Sequence, residues 1–200
     1  CTNAKIAGIS YDGGYAEYMV APQEALALVP DDLSSEEAAP LMCAGITTFN
    51  ALRNSPARGG DVVAIQGIGG LGHLAIQYAS KMGFKVIAIS GSNSKKELAS
   101  RLGATHFINA GETDPAKALQ ELGGAKVILA TAPSGDAISS VIGGLGIDGQ
   151  LLIVAAPGES IEVSPFALIG GRKSVAGWPS GTAIDSEDTL NFSNLSEVKP

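Results

Sequence analysis

Three glycines at fixed spacing are the residues of this chain most able to do chemistry. Gly67, Gly69 and Gly72 fall on the pattern G-x-G-x-x-G, with Ile68, Gly70 and Leu71 between them. An apolar run of strand length, 61–66, leads into them. A stretch with helical spacing, 70–82, follows, with Leu74, Ile76, Tyr78 and Met82 on its apolar side. A second apolar run, 85–90, reads as the next strand. Glycines at the first strand-to-helix turn of a βαβ unit form a dinucleotide site. Gly67 permits the tight turn, Gly69 lets backbone approach a pyrophosphate, and Gly72 lets the helix pack close to the sheet. The helix N-terminus adds free N–H groups and a partial positive charge. The residues predicted to cradle the phosphates are Gly67, Gly69, Gly70, Leu71 and Gly72.

The end of the second strand decides which dinucleotide fits. Sites for NAD place Asp or Glu there, on the ribose hydroxyls. This chain has Ser90, then Gly91-Ser92-Asn93-Ser94-Lys95-Lys96. No carboxylate is present there to repel a 2′-phosphate, and Ser90, Ser92, Lys95 and Lys96 are placed to bind one. NADP(H) is therefore favoured over NAD(H). Thr131-Ala132-Pro133 and Val154-Ala155-Ala156-Pro157-Gly158 end later strands at the same carboxyl edge. Ala132 and Ala155 are the positions expected beside the nicotinamide half. His73, just inside the helix, is read as packing near phosphate, and His106 as structural. The pairs Asp31-Asp32 and Glu36-Glu37 are read as solvated caps rather than acid/base dyads.

The elements that must position these residues follow from periodicity. From residue 61 the chain alternates strand and helix: strands 61–66, 85–90, 105–109, 126–130 and 149–155, helices 70–82, 94–102, 115–122 and 135–144. Such alternation implies an α/β fold with a doubly wound parallel sheet, the Rossmann arrangement. Further strands are expected at 161–163 and 173–177. The start reads differently. Tyr11–Tyr15 is a turn, and 15–20 and 25–29 are extended runs suited to antiparallel β-structure. Ser34 and Glu37 form a capping box that opens a helix to about residue 42. A second helix, 45–53, stops before Pro56, and a last one starts after Asp185.

Composition narrows the function class. Of 200 residues, 45% are apolar, enough for a substantial core, and 16% are charged. The net charge of −7 argues against nucleic acid and anionic membrane as partners. Apolar runs are too short to span a bilayer, and no secretory leader is visible. Cys1 and Cys43 have no short-range partner and make no disulfide framework, so a reducing, cytoplasmic setting is expected. A free Cys such as Cys43 is most often a small core residue, with metal ligation the alternative.

Three motifs in order resemble a known family: Asp12-Gly13-Gly14-Tyr15-Ala16-Glu17-Tyr18, Pro40-Leu41-Met42-Cys43-Ala44-Gly45-Ile46-Thr47-Thr48, and Gly67-Ile68-Gly69-Gly70-Leu71-Gly72-His73. Together they resemble zinc-dependent alcohol dehydrogenases of the medium-chain dehydrogenase/reductase superfamily. The resemblance implies an internal piece of such a protein: 1–45 from a GroES-like catalytic domain, 46–180 an NAD(P)-binding Rossmann domain, and 181–200 the return to the catalytic domain. It implies hydride transfer between a small alcohol or aldehyde and NAD(P). Cys43 matches a catalytic-zinc ligand and Cys1 the fourth cysteine of a structural-zinc lobe, each a partial shell. Thr47, one helical turn after Cys43, can share a face with metal and nicotinamide. Nucleotide domains of this family pair edge to edge, so the strand at 173–177 is expected to form a homodimer or higher homo-oligomer, unless 178–200 covers it. The alternatives are a zinc-free quinone or enone reductase of the same superfamily and a non-catalytic nucleotide-binding module.

Overall fold

The computed structural model describes residues 5–200. Its centre is one six-stranded sheet built from β1 (Val62–Gln66), β2 (Lys85–Ser90), β3 (His106–Asn109), β4 (Ala125–Ala130), β5 (Leu145–Ile153) and β6 (Ser174–Gly177). The strands lie in the order β3-β2-β1-β4-β5-β6, and every pairing is parallel. Strands β1, β2 and β4 are buried along nearly their whole length. That explains why their sequences are continuous apolar runs rather than alternating ones. The order reverses between β1 and β4, and a crevice opens at their carboxyl ends.

Helices cover both faces. Ahead of the sheet run α1 (Ser35–Pro40) and α2 (Ile46–Arg53). Within the αβ repeat come α3 (Gly70–Lys81), α4 (Lys96–Arg101), α5 (Pro115–Glu121) and α6 (Gly135–Val141). The last two are α7 (Pro165–Ile169) and α8 (Ala183–Ser196). One core, with Leu74, Tyr78, Val63 and Leu129, fills the α2/α3/α8 side. The other, with Ile87, Ile128, Leu119 and Ile138, fills the α5/α6 side.

Several expectations are corrected. The runs 15–20 and 25–29 form no strand. Tyr15, Tyr18, Val20 and Leu28 are exposed, and no described strand lies beside them to take up their backbone bonds. Residues 161–163 form no strand either; Ile161 and Val163 pack on the second core from a loop. Strand β5 begins at Leu145 rather than 149. The two helices expected around Cys43 are one continuous run, joined by a π-type segment, Leu41–Gly45, in which Ile46 N–H donates to the Leu41 carbonyl. Pro40 has no N–H to give and sits where the regular ladder is interrupted. The last helix begins before Asp185, not after it. The Thr182 backbone N–H donates to the Asp185 carboxylate at 2.7 Å.

Helix α8 does not lie along the sheet edge. It packs on α2 and α3, where Phe49, Tyr78 and Phe192 form an aromatic cluster with centroids 4.9 to 6.1 Å apart. Tyr78 Oη and Ser193 Oγ share a buried hydrogen bond of 2.7 Å. Burial pushes the Tyr78 phenol up to about 12. Arg53 reaches both Asp185 and Asp188, and the Asp185 carboxyl lies below its ordinary value, chiefly because Thr182 donates to it.

Two glycines set the approach of α3 to the sheet. Gly67 has φ +94°, and a Cβ there would sit 2.9 Å from Thr131 Oγ1. A Cβ on Gly72 would lie 1.9 Å from the Gly67 carbonyl oxygen. At Gly70 a Cβ would meet nothing within 4 Å. Gly72→Ala is thus expected to cost about 1–3 kcal/mol through overpacking. Gly70→Ala should leave stability unchanged or raise it, since glycine is the poorer helix former. Thermal denaturation of the two variants checks this; equal midpoints would contradict the packing assigned to Gly72.

Candidate dinucleotide site

The carboxyl ends of β1 and β4 are fastened to each other. Thr131 N–H donates to the Gln66 carbonyl at 2.9 Å, and Thr131 Oγ1 donates to the same oxygen at 2.9 Å. The Gly67 N–H extends the β1–β2 ladder by donating to Ile89 O at 2.9 Å. The glycine loop is therefore anchored to three strands before it turns into α3. The first helical bond of α3 runs from His73 N–H to the Gly69 carbonyl at 3.0 Å. Gly69 is the N-cap and brings no side-chain acceptor. The first amides of a helix have no partner within it, so those of α3 face the open space over Gly69 and Gly70.

That open space is informative. A Cβ on Gly69 would touch no protein atom within 4 Å. Protein packing thus explains glycine at 67 and 72 and does not explain it at 69. The space over Gly69 leaves room for a ligand close to the backbone, and a helix N-terminus suits a phosphate. The residues present fit a dinucleotide.

Beside the loop, a cleft of about 280 Å³ is lined by Gln66 and Gly67, by Ile89, Ser90 and Gly91, and by Ala132. It takes in the ends of β1, β2 and β4, the arrangement expected for one part of a dinucleotide at the switch point. Larger hollows lie elsewhere. One, about 690 Å³, is lined by Ser139, Ser140 and Glu162. Another, about 670 Å³, is lined by Tyr11, Tyr15 and Tyr18, and a third, about 370 Å³, by Leu28, Asp31 and Glu187. None of the three joins a glycine loop, a helix N-terminus and cations.

The residues expected at the ribose end are partly gathered. Ser90 is half-buried at the cleft. Lys95 reaches back over the glycine loop, its Nζ donating to the Ile68 carbonyl at 2.6 Å. Ser92 Oγ lies 2.9 Å from Ser94 Oγ, and Lys96 is exposed. One residue escaped the sequence reading. Glu112, in the turn after β3, accepts a 3.0 Å hydrogen bond from Asn93 Nδ2. A carboxylate therefore does stand against the 91–96 stretch, contrary to expectation, because the β2 and β3 ends run side by side. His73 Nδ1 lies 3.1 Å from Gly69 O, on the loop itself. His106 is exposed rather than built into the core. Ala132 and Ala155 are half-buried just beyond β4 and β5, at the carboxyl edge.

Cys43 is free and exposed on the π-type segment. Thr47, one turn on, is half-buried, and its neighbour Thr48 is the threonine that bonds back to the backbone, to Ala44 O at 2.8 Å. Cys1 lies outside the described residues. Among the described residues, no group of three or more His, Cys, Asp or Glu is placed to hold a metal. Cys43 is a single candidate donor, short of the three or four protein ligands of a zinc site. No chemical step is therefore assigned to a metal here.

Comparison with known proteins agrees with this geometry. A family profile described as zinc-binding dehydrogenase matches residues 70–195. The alcohol dehydrogenase patD of Penicillium expansum is 48% identical over 195 residues, covering 98% of this chain and 57% of that protein. The crystal structure of the Aeropyrum pernix alcohol dehydrogenase superposes with a TM-score of 0.86 at 33% identity, over 100% of this chain and 60% of that one. The CAD of Helicobacter pylori, solved with NADP(H), gives 0.76 at 28%, over 87% and 49%. The chain thus spans somewhat more than half the length of the curated relative. Its glycine loop, parallel sheet and matched residues place it in the zinc-binding dehydrogenase family, among the alcohol dehydrogenase-like members of the medium-chain dehydrogenase/reductase superfamily.

Proposed function

We propose that this chain is the nicotinamide-dinucleotide-binding unit of an alcohol dehydrogenase. The observation that carries the reading is the open space over Gly69 and Gly70 beside an uncapped α3 N-terminus. The 46–180 stretch supplies this unit. The 1–45 and 181–200 stretches are assigned to the catalytic domain, with a small alcohol or aldehyde as substrate. A bound dinucleotide supplies the ring that accepts or gives hydride. The chain's part is to orient it. The α3 amides take the pyrophosphate, Lys95 adds positive charge at the loop, and the β4 and β5 ends at Ala132 and Ala155 face the nicotinamide half. Cys43 and Thr47 stand as its candidate contributions to the reacting centre. Zinc needs further ligands beyond Cys43. The free Cys43 fits a cytoplasmic enzyme.

NADP(H) is preferred in this reading, through Ser90, Ser92, Lys95 and Lys96; the NADP(H) in the Helicobacter pylori structure supports it by analogy. Among the described strands β6 has a neighbour on one side only, so its outer edge is the surface proposed for pairing with a second copy.

Calorimetry on the 200-residue chain is expected to show NADPH binding more tightly than NADH. Ser90→Asp should reverse the order, since a charged hydrogen bond to phosphate is worth about 1.5–3 kcal/mol. Alcohol oxidation with added zinc should be absent. Binding of neither dinucleotide would refute the site, and zinc-dependent turnover by this chain would refute the incomplete metal shell. Sedimentation should give a dimer that Val175→Pro weakens, because proline removes a ladder donor. A monomer at high concentration would refute pairing at β6.

A further inference from the structure

The turn after β3 brings a carboxylate to the rim that the ribose end of a dinucleotide would occupy. Register places it there: Ser90 pairs with Asn109, and the chain beyond each strand continues alongside the other. Ala110 N–H donates to Ser90 O at 2.8 Å. A Cβ on Gly111 would lie 2.6 Å from the Gly91 carbonyl oxygen. The turn is held by Asn109, whose carbonyl accepts from Glu112 N–H at 3.1 Å and Thr113 N–H at 3.0 Å. Its side-chain Oδ1 accepts from Gly111 N–H at 3.0 Å. Glu112 thus projects from a tight, bonded turn, and its Oε1 accepts from Asn93 Nδ2 at 3.0 Å.

Asn93 sits in the middle of the stretch whose Ser92 and Lys95 would bind a 2′-phosphate. A carboxylate one hydrogen bond away opposes that phosphate, a group of roughly −1.5 to −2 charge near neutral pH. Lys95 carries the opposite charge on the same stretch, its Nζ held on Ile68 O at the glycine loop. Glu112 is thus the charge on this rim that tells the two dinucleotides apart by repulsion.

We propose that Glu112 is a specificity-determining residue, doing from the β3 turn what an acidic residue at the end of β2 does in NAD sites: it limits acceptance of a 2′-phosphate. The inference rests on the dinucleotide reading above. It makes the chain a binder of both dinucleotides, with a preference for NADPH that Glu112 restrains.

Calorimetry or ligand fluorescence with NADPH and NADH on the full chain tests it. Glu112→Gln keeps an oxygen for Asn93 and removes the charge, so the turn is preserved. The NADPH-to-NADH affinity ratio should rise roughly three- to tenfold, the range Coulomb's law gives for a phosphate dianion and a carboxylate several ångströms apart near solvent. The gain should shrink as salt is added. Glu112→Asp retains the charge and should keep the ratio near that of the original chain. An unchanged ratio in Glu112→Gln, or a parallel loss for both dinucleotides, would overturn the proposal and leave Glu112 as a brace for Asn93. If Ser90→Asp still inverts the preference in that case, the dinucleotide site stands and only Glu112's role fails. If the original chain binds neither dinucleotide, both readings fail together.

Discussion

The contact between the first turn of α3 and the Gly67 carbonyl governs the rest of the structure. Only a residue without Cβ at position 72 lets the helix come this near. The positive φ of Gly67 aims its carbonyl at the helix and its α-carbon at Thr131. Thr131 in turn clamps β4 to β1 through Gln66. The helix N-terminus is thereby held at the point where strand order reverses, and a crevice lined by strand ends lies beside it. Protein packing needs two of the motif's glycines. Over the third, Gly69, the space is open. That division separates the glycines that hold the fold from one that leaves room at the helix N-terminus.

A second constraint ties the C-terminal helix to this unit. α8 contributes Phe192 and Ser193 to the face of α2 and α3, and Asp185 and Asp188 receive Arg53. The tail then crosses α3, where Gln77 Nε2 donates to Lys199 O at 2.7 Å and Lys199 N–H donates to Gln77 Oε1 at 3.1 Å. Apolar and aromatic burial carries most of this attachment, since exposed ion pairs contribute little. The helix holding Cys43 and Thr47 runs into the same packing through Phe49, so both residues are coupled to the α2/α3/α8 side of the sheet rather than free to swing.

The sheet was legible because its strands are buried on both faces. Runs such as 62–66 and 85–90 are apolar without interruption, and glycines mark the turns between them. Local chemistry also exposed the capping box, where Glu37 N–H donates to Ser34 Oγ at 3.2 Å. The runs 15–20 and 25–29 were misread because alternation predicts a strand only where a neighbouring strand exists, and Tyr15 and Tyr18 have none among the described residues. The π-type segment was hidden because nothing in the run 41–45 marks the longer backbone bond that joins the two expected helices into one. Glu112 was invisible for a different reason. It lies 19 residues from Asn93, and only the parallel pairing of β2 with β3 brings the two together. Its signal could have been found by asking which charged residues follow the strand predicted to lie beside the specificity strand.

The central claim is that the α3 N-terminus and the glycine loop receive a dinucleotide. Amide hydrogen exchange with and without NADPH tests it most directly. The account predicts protection confined to the amides of 69–72, with smaller protection at 90–95 and beyond the end of β4, and none at the 690 Å³ hollow beside α6. Protection at that hollow, or no change at 69–72 under saturating NADPH, would contradict it.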